Sequence, residues 1–244
     1  MTHPYVLAIT GASGAIYATR LLEVLINSGN DVHLTISESG RQVLSEELDV
    51  DVDLNNFQES QLLLDADKSS LDSKLARTRS SAGISTDESN VLSMTSRDPG
   101  QIHYHHYRDF MAPIASGSFL TAGMVICPCS GSTLSAVVNA ASGNLIQRAA
   151  DVQLKESRKL VLVPRETPLS TLQLENMKRA SEAGAVVLPA MPGWYHGVKS
   201  IRDLVDFVVA RILDQLQIEH SLIHRWGEAE GPEDTETGFL DQGG

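Results

Sequence analysis

Thiols and aromatic rings are scarce in this chain of 244 residues, which has two cysteines, five tyrosines, five phenylalanines and two tryptophans. Cys127 and Cys129 flank a single proline in "VICPCS", poor geometry for pairing with each other. Two thiols are also too few for a zinc site, which excludes both a disulfide scaffold and a zinc module. They read as buried, reduced residues at a strand end, as expected of a cytoplasmic protein. Basic residues are outnumbered 19 to 31, and the net charge of -12 argues against nonspecific binding to nucleic acid or acidic lipid. No apolar run approaches the roughly 20 residues of a membrane span, so no membrane partner is expected. The opening "MTHPYVLAIT" has no basic region before its short apolar segment, so no secretory leader is expected.

What is present suits one large α/β domain or two small ones. Apolar residues make up 42% of the chain, enough for a full core, and the mean hydropathy is -0.09. Charge is unevenly spread: nine acids and one base (Lys68) lie between Glu46 and Asp72, whereas ten of the nineteen Lys and Arg lie between Arg148 and Arg211. A local basic site in an acidic protein suits a small anionic ligand.

Apolar runs at "YVLAIT", "DVHLTIS", "MVICP", "KLVLVP" and "AVVLPA" read as strands. Helical spacing follows at Ile16 to Ile26, Gln42 to Leu48, "STLSAVVNAAS", "NLIQRAADVQLKESR", "TLQLENMKRASEAG" and "IRDLVDFVVARILDQL". This alternation predicts βαβ units and a mostly parallel sheet covered on both faces, with ligands beyond the carboxyl ends of the strands. The Ser- and Asp-rich stretch from about 65 to 100 breaks the pattern and reads as a flexible insertion. The acidic end, 227–244, has a disordered composition. Residues 1–226 read as one domain.

Several motifs sit where such a sheet binds ligands. "GASGA" links the first strand to the first helix. Its glycines allow close backbone approach, and the helix start offers N–H groups to an anion, while a plain βα turn capped by Ser13 explains it equally well. Ser130, Gly131, Ser132 and Thr133 repeat the arrangement, with three hydroxyls where a cap needs one. Arg148 and Lys155, seven residues apart, share a helix face about 10 Å apart along the axis; a solvated stripe balanced by Asp151 is the plainer alternative. Arg211 falls on or beside the apolar face of Leu204, Phe207 and Val208, where a guanidinium needs an anionic partner, either a structural carboxylate or a ligand phosphate. "HYHHY" (His103 to Tyr107) reads as an edge strand, with no carboxylate or Cys at metal-ligand spacing. "LVLVPRETP" (Leu160 to Pro168) is the least ordinary motif, since its buried strand delivers Arg165 and Glu166 side by side at its end.

Together "TGASGA", "MVICPCS", "NLIQRAADVQLKE", "LVLVPRETP", "LENMKRASEAGAVVLPA", "PGWYHG", "LVDFVVARILDQL" and "RWGE" resemble the UbiX/Pad-type flavin prenyltransferases over nearly all the chain outside the insertion and tail. "VPRE" and the loop ending in "YH" are the specific parts. The resemblance implies a three-layer, Rossmann-like (flavodoxin-like) fold assembled as a homododecamer. It implies metal-independent transfer of a dimethylallyl group from dimethylallyl monophosphate to N5 and C6 of reduced FMN. Prenylated FMN would then serve a UbiD-type decarboxylase. Family members carry the older label of aromatic acid decarboxylase.

The resemblance assigns FMN to Gly11, Ala12, Ser13, Ser37, Ser130, Gly131, Ser132, Thr133 and Arg165. It assigns the prenyl phosphate to Arg148, Lys155, Tyr195 and Arg211, and the prenyl tail to Trp226. Glu166 becomes the acid/base carboxylate, with Ser13 and Glu47 supporting proton handling. These groups would meet where subunits join. The competing readings are a flavin-dependent cysteine-type decarboxylase, disfavoured because "PAMPGWYH" lacks the "PxMNxxMW" pattern, and a non-catalytic flavin-binding subunit.

Overall fold

Strict alternation along each strand sends consecutive side chains to opposite faces of one sheet. In the computed structural model, which describes residues 3–63, 98–195 and 198–223, Leu7 and Ile9 of β1 (Tyr5–Ile9) enter one core while Val6 and Ala8 enter the other. Val125 and Cys127 alternate in the same way with Met124 and Ile126 in β4 (Gly123–Cys129), as do Val161 and Val163 with Leu160 and Leu162 in β5 (Leu160–Pro164). Burial on both faces is why these strands read as continuous apolar runs.

The remaining strands are β2 (Val32–Ile36), β3 (Ile102–Tyr104) and β6 (Val186–Val187). All pairings are parallel, in the order β3-β2-β1-β4-β5-β6. This is the doubly wound Rossmann order; without the three-residue edge strand β3 it reduces to the flavodoxin order. The order reverses between β1 and β4, which opens a crevice at their carboxyl ends.

The helices are α1 (Ala15–Asn27), α2 (Glu38–Leu48), α3 (Gly131–Val138), α4 (Leu145–Lys155), α5 (Thr171–Glu182) and α6 (Ile201–Leu216). Helices α1 and α6 pack on the Leu7 face, and α3, α4 and Ala180 of α5 on the Val6 face. The final helix is tied to the first by a buried, two-pronged ion pair: Arg20 Nε and Nη2 donate to Asp206 Oδ1 and Oδ2 at 2.7 and 3.3 Å.

Two element boundaries differ from the sequence pattern. Helix α2 starts at Glu38 instead of Gln42, because the Ser37 hydroxyl accepts from Gly40 N–H and caps a turn that carries no apolar stripe. Strand β6 shrinks to two residues of "AVVLPA", because it lies at the sheet edge and Pro189 lacks an N–H for the ladder. The segment expected to be a flexible insertion (about 65–100) lies outside the described residues except for its last three, as does the 227–244 tail.

The histidines of "HYHHY" find a partner on β2. His33, 8% exposed, stacks on His105 and packs against His103 and Phe119, with its Nδ1 2.8 Å from His105 Nε2. Among the described residues no group of three or more His, Cys, Asp or Glu is placed to hold a metal. Burial, with positive charge on His105 and His103, lowers the His33 pKa to about 4, against a smaller upward pull from Asp31. The unfolded chain takes up this proton near pH 6.5 and the folded chain does not. Stability is therefore full above about pH 6.5 and falls by about 3 kcal/mol as the pH drops to about 4. In urea unfolding between pH 7 and 4, His33→Asn should flatten that slope; an unchanged slope would remove His33 as its source.

Candidate active site

The carboxyl ends of β1, β4 and β5 are stitched together before any ligand is considered. Thr10 Oγ1 donates to Pro128 O at 2.7 Å and accepts from Ser130 N–H at 2.8 Å. Pro128 is tolerated inside a central strand because the β4–β5 register shifts between Ile126 and Cys129. Cys127 and Cys129 are buried and free, and burial holds the Cys129 thiol up at about 12, so both are packing groups and not nucleophiles.

The "GASGA" loop is closed from an unexpected direction. Gly14 sits at φ 115°, a left-handed conformation that favours glycine. Its N–H and that of Ala15 donate to Glu47 at 2.9 and 2.8 Å. The first turn of α1 therefore already holds a carboxylate, which corrects the expectation that these N–H groups await an anionic ligand. Ser13 does not cap the helix either; the N-cap is Gly14. The Ser13 carbonyl instead accepts from Arg165 Nε at 3.2 Å, so the strand end of "VPRE" is drawn over the first loop. Gly11 presses so closely on α2 that a Cβ there would collide with Ser39.

Across the crevice Ser130 caps α3. Its hydroxyl lies 2.9 Å from Thr133 Oγ1 and 3.1 Å from Ser132 Oγ. Ser37 stands at the end of β2, where its N–H pairs with Ile9 O. Gly11, Ala12, Ser13, Ser37, Ser130 to Thr133, Arg165 and Glu166 thus gather at one end of the sheet. Arg165 and Glu166 are exposed, and Glu166 Oε2 accepts from Gln173 Nε2 at 3.4 Å.

The other basic candidates divide between the two helical layers. On α4, Arg148 donates through Nε to Ala115 O and through Nη1 to Asp151, and Lys155 pairs with Glu156 at 2.8 Å. On α6, Arg211 is exposed and pairs with Asp214 at 2.7 Å. Of the two partners the sequence allowed, the structural carboxylate is present, and the exposed Arg211 lies beside the apolar face. Tyr195 meets Phe207 edge-on, one helical turn before Arg211. Helices α4 and α6 cover opposite faces of the sheet. Arg148 and Lys155 thus belong to one helical layer and Arg211, with Tyr195 against Phe207, to the other. Trp226 and His196 lie outside the described residues.

Comparison with known proteins agrees with this geometry. The Flavoprotein family model matches residues 2–213. The flavin prenyltransferase UbiX of Alkalihalophilus pseudofirmus is 47% identical over 221 residues, 90% of this chain and 94% of that protein. That of Pseudomonas aeruginosa is 46% identical over 222 residues, 91% and 93% of the two chains. The chain belongs to the UbiX flavin prenyltransferase family. Among solved structures, AnUbiX (PadA1) in complex with FMN and dimethylallyl pyrophosphate superposes with a TM-score of 0.72 at 32% identity, covering 94% of this chain and all of that one. A dodecameric FMN-dependent UbiX-like decarboxylase from Escherichia coli O157:H7 gives 0.69 at 33% identity, covering 91% and 98%.

Sequence reasoning missed three residues beside these groups. Thr10 was counted only as the last residue of a strand. Tyr17 was absorbed into the helical pattern, yet burial raises its phenol pKa, Glu47 adds to the rise and Arg165 opposes it, so it stands within electrostatic reach of both. Gln173 gave one available signal, its position three residues after a helix-capping serine.

Proposed function

We propose that this chain joins the dimethylallyl group of dimethylallyl monophosphate to N5 and C6 of reduced FMN, and that a UbiD-type decarboxylase receives the prenylated flavin. The observation that carries the reading is the Arg165 bond to the Ser13 carbonyl, with Glu166 next to it in the chain and the hydroxyl-bearing start of α3 at the same end of the sheet. Those hydroxyls lie at a helix N-terminus, chemistry that suits a phosphate-bearing ligand such as FMN. When bound, reduced flavin supplies the nucleophilic N5 and C6 centres.

The residues of the chain do the rest. A lone phosphate is a poor leaving group until its charge is stabilised. Arg148, Lys155, Arg165, Tyr195 and Arg211 would supply positive charge and hydrogen bonds in a site shielded from water. N5 would displace inorganic phosphate, which takes the N5 proton and returns it to the prenyl double bond as C6 adds there, and Glu166 would take the proton that C6 loses, with Ser13 assisting. Glu47 would act mainly by holding the Gly14–Ala15 turn. The separation of the basic residues into two layers supports a site completed by neighbouring copies, and a homododecamer supplies such junctions. The buried free cysteines accord with the reducing cytoplasm.

Anaerobic incubation with reduced FMN and either the monophosphate or the diphosphate donor, followed by mass spectrometry of the released flavin, tests the reading. A flavin heavier by one five-carbon unit is expected, formed faster from the monophosphate. Unaltered flavin with both donors would refute the assignment.

A further inference from the structure

We infer that Gln173 is a positioning residue: it holds the Glu166 carboxylate in its working orientation beside the start of α3. The inference rests on the role given to Glu166 above. Gln173 occupies the third position of α5 in a reciprocal cap: its Oε1 accepts from Ser170 N–H at 2.8 Å, and its own N–H donates to Ser170 Oγ at 3.3 Å. The backbone N–H of Ser170 can only donate. The amide oxygen must therefore face it, which leaves the NH2 group no choice of direction. That NH2 group donates to Glu166 Oε2 at 3.4 Å. It also lies across Gly131, where an added Cβ would stand 3.3 Å from Nε2.

The residue type is informative. A glutamate would complete the same cap, and its negative charge near the helix start would favour α5 further. It would also turn its second oxygen onto the Glu166 carboxylate, where glutamine presents a donor. The neutral amide forgoes helix stabilisation and in return fixes a carboxylate. Gly131 leaves room for this amide, so one side chain links Glu166 to the start of α5 while lying against the start of α3.

Gln173→Glu separates the two roles, since it keeps the cap and removes the donor. The expected result is a 10- to 100-fold fall in kcat for adduct formation, with KM for dimethylallyl monophosphate and Kd for FMN within twofold of wild type and Tm equal to or above that of wild type. A kcat equal to wild type would overturn the inference, as would a loss that tracks weakened FMN binding or a lowered Tm. If Gln173→Glu does not fold, Gln173→Met, which has no donor and only a weak acceptor, carries the test: a lower kcat at unchanged FMN Kd supports the inference and wild-type kcat overturns it. Glu166→Gln is measured alongside. If it is inactive while Gln173→Glu is normal, only the inference fails. If both are normal, the role of Glu166 fails with it.

Discussion

Glu166→Gln is expected to slow flavin adduct formation by about 10²- to 10⁴-fold while leaving FMN bound. The amide has nearly the shape of the carboxylate and can still offer an oxygen to the Gln173 NH2 group. It cannot take up a proton at neutral pH, so chemistry is lost and geometry is kept. Arg165 keeps its position in the variant, because it is held separately by the Ser13 carbonyl. The informative measurement is single-turnover absorbance under anaerobic conditions, paired with FMN binding by fluorescence quenching. Turnover at the wild-type rate would remove Glu166 from the proton pathway. An equal loss of FMN affinity would mean that the substitution had damaged the cradle and not the chemistry.

Asp206→Ala should cost about 3 kcal/mol of stability, the largest loss anticipated for a single residue far from the crevice. Arg20 is 9% exposed and Asp206 7%. Burial opposes the charged form of Arg20, but the hydrogen bond and charge of Asp206 outweigh it, and its pKa is raised. Removing the acid strands a guanidinium between α1 and α6. The loss should fall at the lower end of the range for buried pairs, because Glu23 also pairs with Arg20 at 3.0 Å. Chemical denaturation would show an earlier midpoint. Pairing Asp206→Leu with Arg20→Met should recover much of the difference, since an apolar contact needs no partner charge. A midpoint for Asp206→Ala equal to that of wild type would show that water reaches this pair.

The parallel sheet was legible because burial on both faces writes unbroken apolar strands, and "VPRE" was legible because a charged pair at such a strand end has no role in packing. Helix α2 was misjudged at its start because Ser37 caps a turn without an apolar stripe, so periodicity appears only from Val43 and Leu44. Arg20 and Asp206 were invisible because 186 residues separate them; nothing local marks an ion pair whose halves meet only after the sheet is wound. The closing of the first loop by Glu47 was hidden for the same reason. A carboxylate on α2 reads as surface until α1 is packed beside it. Sequence spacing also could not show that Arg148 and Arg211 lie in different layers, because that depends on which side of the sheet each crossover takes.

This last feature reaches beyond the site. Arg148 and Arg211 stand on helices that cover opposite faces of the sheet. Under the proposed function, dilution that dissociates the assembly would silence the chemistry without unfolding a single chain. Catalytic competence would then follow protein concentration, and a perfectly folded monomer would be inert.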